Sequence, residues 1–217
     1  MKSLIWKILK GLTKVWSLMC PYKLSHRFHS FHNVLYTMWV SHFMGNVGKG
    51  CSFSRPLLLE GGGERHISIG AHTGIGHHTV LGCWERHGED EQYTPEIIIG
   101  DSCSIGEYCH ISAIRKITIG EGLLTGRFVY IGDNAHGGLS WEEAEIPPAK
   151  RVLQSKGEIK IGRNVWIGDK VTILGGVSIG DNVIIGANTV VAHDIPSNTV
   201  VVGGASREIK RLEKRNP

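Results

Sequence analysis

The residues from Ile161 to Pro196 read IGRNVWIGDKVTILGGVSIGDNVIIGANTVVAHDIP. Aliphatic residues recur there at every sixth position, which we call lead positions: Ile161, Ile167, Ile173, Ile179, Ile185 and Val191. Small or β-branched residues follow four positions later, at Val165, Val171, Val177, Val183, Thr189 and Ile195. This period suits neither a helix, which needs about 3.6 residues, nor a hairpin sheet, which needs about two. The pattern predicts a solenoid whose short stacked strands bury columns of aliphatic side chains.

The same period continues upstream in sets of three blocks. The lead positions there are Ile69, Ile75 and Leu81, then Ile99, Ile105 and Ile111, then Ile119, Thr125 and Ile131. Three blocks per set indicate three flat sides per coil, and loops inserted into solenoids often gather at a binding face. The two long insertions are residues 83–96 and 137–157.

The period divides the chain into three parts. We predict one all-β solenoid of about five coils over residues 60–204. A helical N-terminal segment, residues 1–59, precedes it. A basic tail or short helix, residues 205–217, follows it.

The solenoid sequence resembles the hexapeptide-repeat acyltransferases over about residues 67–210. The similarity is carried by VWIG at Val165–Gly168, by GGVSIGDNVIIGA at Gly175–Ala187 and by IPSNTVVVGGASREIK at Ile195–Lys210. These motifs look like those of sugar O-acetyltransferases of the maltose and galactoside type. The resemblance implies a left-handed parallel β-helix of triangular cross-section, a homotrimer and acetyl-CoA as donor. Ala205 and Ser206 stand where those enzymes usually carry a Pro-Ala or Pro-Cys pair.

Composition excludes several classes of protein. The chain has 217 residues and 41% hydrophobic content, enough for one buried core. Its five cysteines form no C-x-x-C pair, which argues against a disulfide framework and a thiolate zinc site. The N-terminal apolar runs are too short for a membrane span, and no small-residue cleavage site follows a clean apolar core. We expect a cytoplasmic protein, with the inner face of the membrane as the alternative location.

The N-terminal segment is basic and amphipathic. Residues 1–59 contain eight Lys or Arg and no acid, whereas residues 60–217 hold the other sixteen bases and all twenty acids, giving +8 against −4. Its apolar residues keep helical spacing, beginning with Leu4, Ile8 and Leu12. Two interpretations stay open: a cap on the solenoid end, or an interfacial helix on an anionic membrane. A nucleic-acid partner is disfavoured because the basic residues form no stripe and no recognised binding motif is present.

His136 is the candidate catalytic base. Acyl transfer from a thioester to a hydroxyl needs a base and donors for the oxyanion, and histidine, with an unperturbed pKa near 6.5, suits the first role. His136 ends a six-residue block where the period breaks into the loop 137–157. The resemblance points to the same residue, since the sequence DNAHG at Asp133–Gly137 looks like the segment that carries the catalytic histidine in sugar O-acetyltransferases. Asp133, Asn134 or a backbone carbonyl would orient its ring.

The resemblance also implies binding residues. The acceptor would contact Asn134, His110 and Trp166. Coenzyme A would lie in a groove between subunits and contact Asp169, Ala187, Ala192, His193 and Lys210. No covalent acyl-enzyme is expected, because no Ser or Cys near His136 has a visible reason to be placed against it. No metal is expected either.

The sequence therefore predicts an acetyl-CoA-dependent O-acetyltransferase acting on a hydroxyl of a sugar or lipid-linked saccharide, as in polysaccharide biosynthesis. An antibiotic O-acetyltransferase is the alternative within the class. A zinc hydratase is the alternative on the same fold, because His72 and His77 have the five-residue spacing of a ligand pair in the γ-class carbonic anhydrases. A catalytic zinc needs a third protein ligand, which would fall before the solenoid starts. A protein that only scaffolds others is disfavoured by His136 and the acetyltransferase-like C-terminal coils.

Overall fold

The structure is a computed structural model. It describes residues 2–88, 92–138, 140, 143, 145–204 and 207–211, and the side chains of all of these except 22–29 and 207–211. The chain begins with two helices, α1 (Lys2–Met19) and α2 (Tyr22–Ser41). Among the described residues, no helix combines the length and the apolar character that crossing a membrane requires.

The described residues after α2 form 22 short strands and two 3-10 turns, at Glu64–His66 and Pro148–Lys150. The strands up to the loop 137–157 are β1 (Asn46–Val47), β2 (Ser52–Phe53), β3 (Leu57–Glu60), β4 (Ile67–Ile69), β5 (Gly74–Ile75), β6 (Thr79–Cys83), β7 (Glu96–Ile99), β8 (Ser104–Ile105), β9 (His110–Ala113), β10 (Lys116–Ile119), β11 (Leu124–Thr125), β12 (Tyr130–Gly132) and β13 (Ala135–His136). The remaining strands are β14 (Leu153–Gln154), β15 (Ile159–Ile161), β16 (Trp166–Ile167), β17 (Thr172–Leu174), β18 (Ser178–Ile179), β19 (Ile184–Ile185), β20 (Val190–Val191), β21 (Thr199–Val202) and β22 (Arg207–Arg211).

The strands assemble into three main sheets. Sheet A has the order β1-β4-β7-β10-β15-β18, sheet B the order β2-β5-β8-β11-β16-β19-β21-β22, and sheet C the order β3-β6-β9-β12-β17-β20. Consecutive strands of a coil lie in different sheets and pair in parallel with the coils before and after, apart from the antiparallel pairs β13–β14 and β21–β22. The parallel arrangement that the resemblance implies is confirmed, and its three main sheets agree with the three sides per coil that the period predicts. Its left-handed sense stays a prediction.

The lead positions explain the stacking. In sheet A, Ile69, Ile99, Ile119, Ile161 and Ile179 are register partners on successive strands, and each is at most 3% exposed. Asparagines turn several corners with positive φ, among them Asn164, Asn182 and Asn188, a conformation that asparagine tolerates better than most residues. The period of six is therefore the repeat of a buried lead residue, a corner and the buried residue four positions after the lead.

Two elements differ from the sequence prediction. Sheets A and C each contain six strands, one more than the predicted five coils. The additional coil, β1 to β3, lies inside the segment expected to be helical, and its Val47, Phe53 and Leu59 stand in register with the lead positions of the next coil. At the other end Arg207–Arg211 pairs with β21 as an antiparallel strand, where a tail or short helix was predicted.

The second half of α2 covers the first coil. Val40 of α2 and Met44, three residues after the end of the helix, are buried in the solenoid core. The Tyr36 hydroxyl donates to the carbonyl of Leu57 and accepts from its N–H, at 3.0 and 2.9 Å, and the Thr37 hydroxyl accepts from the N–H of Phe53 at 2.8 Å. In α1, by contrast, no residue is buried. The capping interpretation therefore fits α2 and does not fit α1.

Candidate active site

A pocket of about 220 Å³ lies on sheet C, where β6, β9 and β12 end and the chain leaves the solenoid in loops. Its lining residues are Trp84, His87, His110, Ser112, Tyr130, Asn134, His136 and Leu153. Both long insertions contribute, the first through His87 and the second through Leu153. The three predicted residues His110, Asn134 and His136 are brought together here.

The floor of the pocket is formed by residues of β9 and β12 that are neighbours in the strand register. Because β9 and β12 pair in parallel, Tyr130 lies beside His110 and Gly132 beside Ser112. The rings of His110 and Tyr130 meet edge to face, with centroids 5.5 Å apart and planes at 85°. Burial, together with the nearby Asp133 carboxylate, raises the pKa of the Tyr130 hydroxyl. Tyr130 is therefore a neutral phenol at physiological pH.

His136 occupies the rim of this pocket. It lies on β13, which pairs antiparallel with β14 so that His136 is opposite Leu153. The side chain is exposed, and its ring centroid is 5.1 Å from that of His87 with an interplanar angle of 67°. The Leu153 N–H donates to the Tyr93 hydroxyl at 3.0 Å, which ties the second insertion to the first. His136 is thus accessible and held between the two insertions.

Asp133 and Asn134 hold the turn that carries His136. Asp133 is 1% exposed, and its two carboxylate oxygens accept from the N–H groups of Ile114 and Arg115 at 2.8 and 2.9 Å. Burial raises the pKa of Asp133 in spite of these donors. The Asn134 side-chain amide donates to both the carbonyl and the hydroxyl of Ser112, each at 3.0 Å. In the described residues neither side chain hydrogen-bonds to the His136 ring, and the ring contact is with His87.

His110 offers an unpaired ring nitrogen. Its Nε2 is buried and has no hydrogen-bond partner among the described residues. Burial lowers the pKa of His110, with the distant Glu60 carboxylate opposing, so the imidazole is neutral at pH 7. A buried polar atom without a partner destabilises a protein by ~1–3 kcal/mol. A hydroxyl or other polar group of a bound ligand would remove that penalty, and the same applies to the buried Nε2 of His87.

The other predicted binding residues lie outside this pocket. Trp166 is exposed on β16 in sheet B. Asp169 follows β16 at the corner between sheets B and C, and its carboxylate accepts from the Arg127 N–H at 2.8 Å. Ala187 is exposed at the same corner one coil later, and Ala192 and His193 are exposed after β20. Lys210 lies on β22, and its side chain is outside the described part of the chain.

Five lining residues were not singled out from the sequence, namely Trp84, His87, Ser112, Tyr130 and Leu153. Ser112 and Tyr130 lie next to lead positions, on the strands beside His136. Their outward-facing places in the six-residue period are the signal that could have identified them. The place of His87 in the 83–96 insertion indicates a loop residue and is the only signal the sequence gives for it.

The described residues contain no group of three or more His, Cys, Asp or Glu side chains arranged to hold a metal ion. His77, half of the spacing pair considered for zinc, contacts Glu107 at 3.3 Å and the Nδ1 of His78 at 2.7 Å. His72 turns a corner with a φ of 57°. Neither residue lines the pocket at His136.

Comparison with known proteins finds transferases among the proteins that this chain resembles. The family described as bacterial transferase hexapeptide (six repeats) matches residues 158–193. WbbJ of Escherichia coli K12, named as a lipopolysaccharide biosynthesis O-acetyl transferase, is 39% identical over 119 residues, 53% of this chain and 60% of WbbJ. A protein of Lysinibacillus sphaericus named as a macrolide acetyltransferase is 34% identical over 119 residues, 52% of this chain and 62% of that one. The chain therefore spans about three fifths of the length of these curated relatives.

Solved structures share the fold. A maltose O-acetyltransferase from Clostridium difficile 630 is 28% identical, with a TM-score of 0.51 over 80% of this chain and 72% of that one. AntD, an N-acyltransferase from Bacillus cereus solved with dTDP and 3-hydroxybutyryl-CoA, has a TM-score of 0.64 at 19% identity, over 82% of this chain and 88% of that one. The chain thus carries the hexapeptide repeat and resembles O-acetyltransferases in sequence.

Proposed function

We propose that this protein is an acetyl-CoA-dependent O-acetyltransferase whose acceptor is a hydroxyl of a sugar or a lipid-linked saccharide. The observation that carries the proposal is the pocket that joins His136, His110 and Asn134 where two insertions leave the hexapeptide solenoid. The similarity to WbbJ, named for lipopolysaccharide biosynthesis, supports a glycan acceptor. The acyl-CoA bound to AntD supports a coenzyme A thioester as the class of donor for this fold.

In the proposed reaction His136 takes the proton of the acceptor hydroxyl as its oxygen attacks the acetyl carbonyl. A carbon–oxygen bond forms, the carbon–sulfur bond of the thioester breaks, and the proton held by His136 passes to the departing sulfur. The His87 ring limits the orientations of His136, at a centroid distance of 5.1 Å. Neutral His110 hydrogen-bonds to the acceptor through its unpaired Nε2. The neutral Tyr130 phenol completes the acceptor side of the pocket.

We further propose a homotrimer with coenzyme A between subunits. Leu124, Trp166 and Ile184 are register partners on β11, β16 and β19, and they are 47%, 52% and 37% exposed. A contiguous apolar row of this kind on a flat sheet is typical of a subunit contact. A neighbour packed on it would bring Trp166 of one subunit toward the pocket of the next. Asp169 and Ala187, at the adjacent corner, would then face the donor.

The test is release of the coenzyme A thiol from acetyl-CoA with a panel of acceptors: lipopolysaccharide-derived oligosaccharides, galactosides, maltose and a macrolide. The variant His136→Ala should lower kcat with the best acceptor by a factor on the order of 10² or more and leave acetyl-CoA binding unchanged. The exposed His42 on the α2 side of the molecule supplies the control, His42→Ala, which should behave as wild type. Near-normal turnover of the His136 variant would remove it as the base. Preference for the macrolide would move the acceptor assignment to antibiotics.

A further inference from the structure

Helix α1 presents an unusually large unpartnered surface. All its large apolar side chains are exposed, from 48% at Leu9 to 76% at Met19. The helix has no buried residue, and the end of the solenoid is already covered by α2. Exposing this much apolar area to water is unfavourable. We therefore expect the apolar face of α1 to be covered by a partner other than the solenoid of the same chain.

The helix has two distinct faces. At about 100° per residue, the apolar side chains of one face lie within an arc of about 140°. They are Leu4, Ile5, Ile8, Leu9, Leu12, Val15, Trp16 and Met19. The opposite arc carries Lys2, Lys7, Lys10 and Lys14 together with Ser3, Thr13 and Ser17. Two apolar residues, Trp6 and Leu18, fall outside the apolar arc, and Trp6 lies among the lysines.

We propose that α1 lies in the surface of an anionic lipid bilayer, with its apolar arc in the acyl boundary and its lysines among the headgroups. Charge complementarity selects this occupant. Residues 1–59 carry eight basic residues and no acid, so a second copy of the same helix would bring like charges together, whereas anionic headgroups neutralise them.

The apolar surface continues beyond α1. On α2, Phe31, Val34, Leu35, Met38 and Trp39 are between 50% and 63% exposed. A groove of about 710 Å³ follows between α2 and β3, and its walls are almost entirely apolar. A bilayer accommodates side chains spread over two consecutive helices, because it is deformable and needs no matching shape. The inference stands independently of the proposed acyltransferase activity, although it would place the pocket near a lipid-linked acceptor.

The first test is co-sedimentation of the full chain with vesicles of phosphatidylcholine alone or mixed with phosphatidylglycerol. Binding should require phosphatidylglycerol and weaken as salt rises. Replacing Lys7, Lys10 and Lys14 by Gln should lower the partition coefficient on mixed vesicles roughly 100-fold, about fivefold per lysine. The matched control replaces three exposed lysines outside α1 and α2, namely Lys150, Lys156 and Lys160, by Gln and should bind as wild type.

The second test separates the apolar arc from general helix effects. The variant Leu4→Gln, Ile8→Gln, Leu12→Gln should lose vesicle binding at least tenfold. Its matched control, Ser3→Gln, Thr13→Gln, Ser17→Gln, should keep it. Sedimentation velocity is run on both proteins. Equal binding to the two vesicle types would overturn the requirement for anionic lipid, and with it the proposal. No vesicle binding by wild type, together with loss of the oligomer only in the apolar-arc variant, would also overturn it and would assign α1 to a contact with a second copy.

Discussion

Replacing His110 by Phe should make the protein more stable and the enzyme worse. In the free protein the buried Nε2 of His110 has no partner among the described residues. Phenylalanine keeps an aromatic ring beside Tyr130 and removes the polar atoms. The proposed role of His110, the first residue of β9, is therefore separable from folding.

The magnitude follows from the unpaired atom. Its burial destabilises the fold by ~1–3 kcal/mol, so replacing the ring by Phe should recover that free energy. The larger Phe side chain cancels part of this gain, because a larger side chain in a packed site is destabilising. We expect a net gain of about 1 kcal/mol, or roughly 2–4 °C in Tm for a chain of this size. Loss of one hydrogen bond to the acceptor should lower kcat/KM for the acceptor ~10- to 100-fold.

The gain in stability of the His110→Phe variant over wild type should also depend on pH, and its direction can be predicted. Burial lowers the pKa of His110 below its ordinary value of 6.5, so in acid the unfolded chain binds a proton that the folded chain does not. The His110 contribution to stability is therefore complete above pH 6.5 and is lost as the pH falls through the lowered pKa. Phe has no such loss. The stability difference between variant and wild type should widen from pH 7 to pH 5.

The assay is thermal unfolding at pH 7 and pH 5 at equal protein concentration, with acceptor kinetics on the same samples. His42→Phe serves as the control and should change neither quantity. A variant less stable than wild type by 1 kcal/mol or more at pH 7 would show that His110 has a hidden partner. Unchanged kcat/KM for the acceptor would show that His110 does not contact it.

Three further predictions concern the scaffold. Asp133→Asn should destabilise the fold by ~1–3 kcal/mol in chemical denaturation, because one of the two backbone N–H groups loses its acceptor; an unchanged midpoint would refute this. Gly120→Ala should prevent soluble expression or lower Tm strongly, since a Cβ there would lie 2.7 Å from a backbone oxygen of the next coil, whereas Gly11→Ala, with nothing within 4 Å, should raise helicity slightly. Leu124→Glu with Ile184→Glu should convert the proposed trimer to monomer in sedimentation velocity and abolish activity, and an unchanged assembly would place the subunit contact elsewhere.

The solenoid could be predicted because its repeat is short and strict. Each lead position is a side chain that must be buried, so the requirement is visible in every block. The first coil was missed because its Phe53 and Leu59 are followed by Ser54 and Glu60 rather than Gly. Only the register with the next coil shows that these residues continue the column.

The site could be predicted only in part. The sequence points to His136, which lines the pocket, because the period breaks beside it and because DNAHG resembles a segment of the sugar O-acetyltransferases. His87 reaches the pocket through an insertion whose path depends on tertiary contacts such as that of Tyr93 with Leu153, and no spacing rule encodes such a path. Tyr130 and His110 are neighbours through strand register, although the lead positions Ile111 and Ile119 between them are eight residues apart and not six. The amphipathic pattern of α1 likewise shows that one face must be covered and does not show by what.

The most direct test of the account is isothermal titration of metal-stripped protein with acetyl-CoA, with metal content measured on the same preparation. The account predicts micromolar binding of about one acetyl-CoA per subunit without metal, in wild type and in His136→Ala alike. No binding of acetyl-CoA, together with zinc near one per subunit, would contradict it. The repeat would then stand, and the chemistry would have to be sought at His72 and His77.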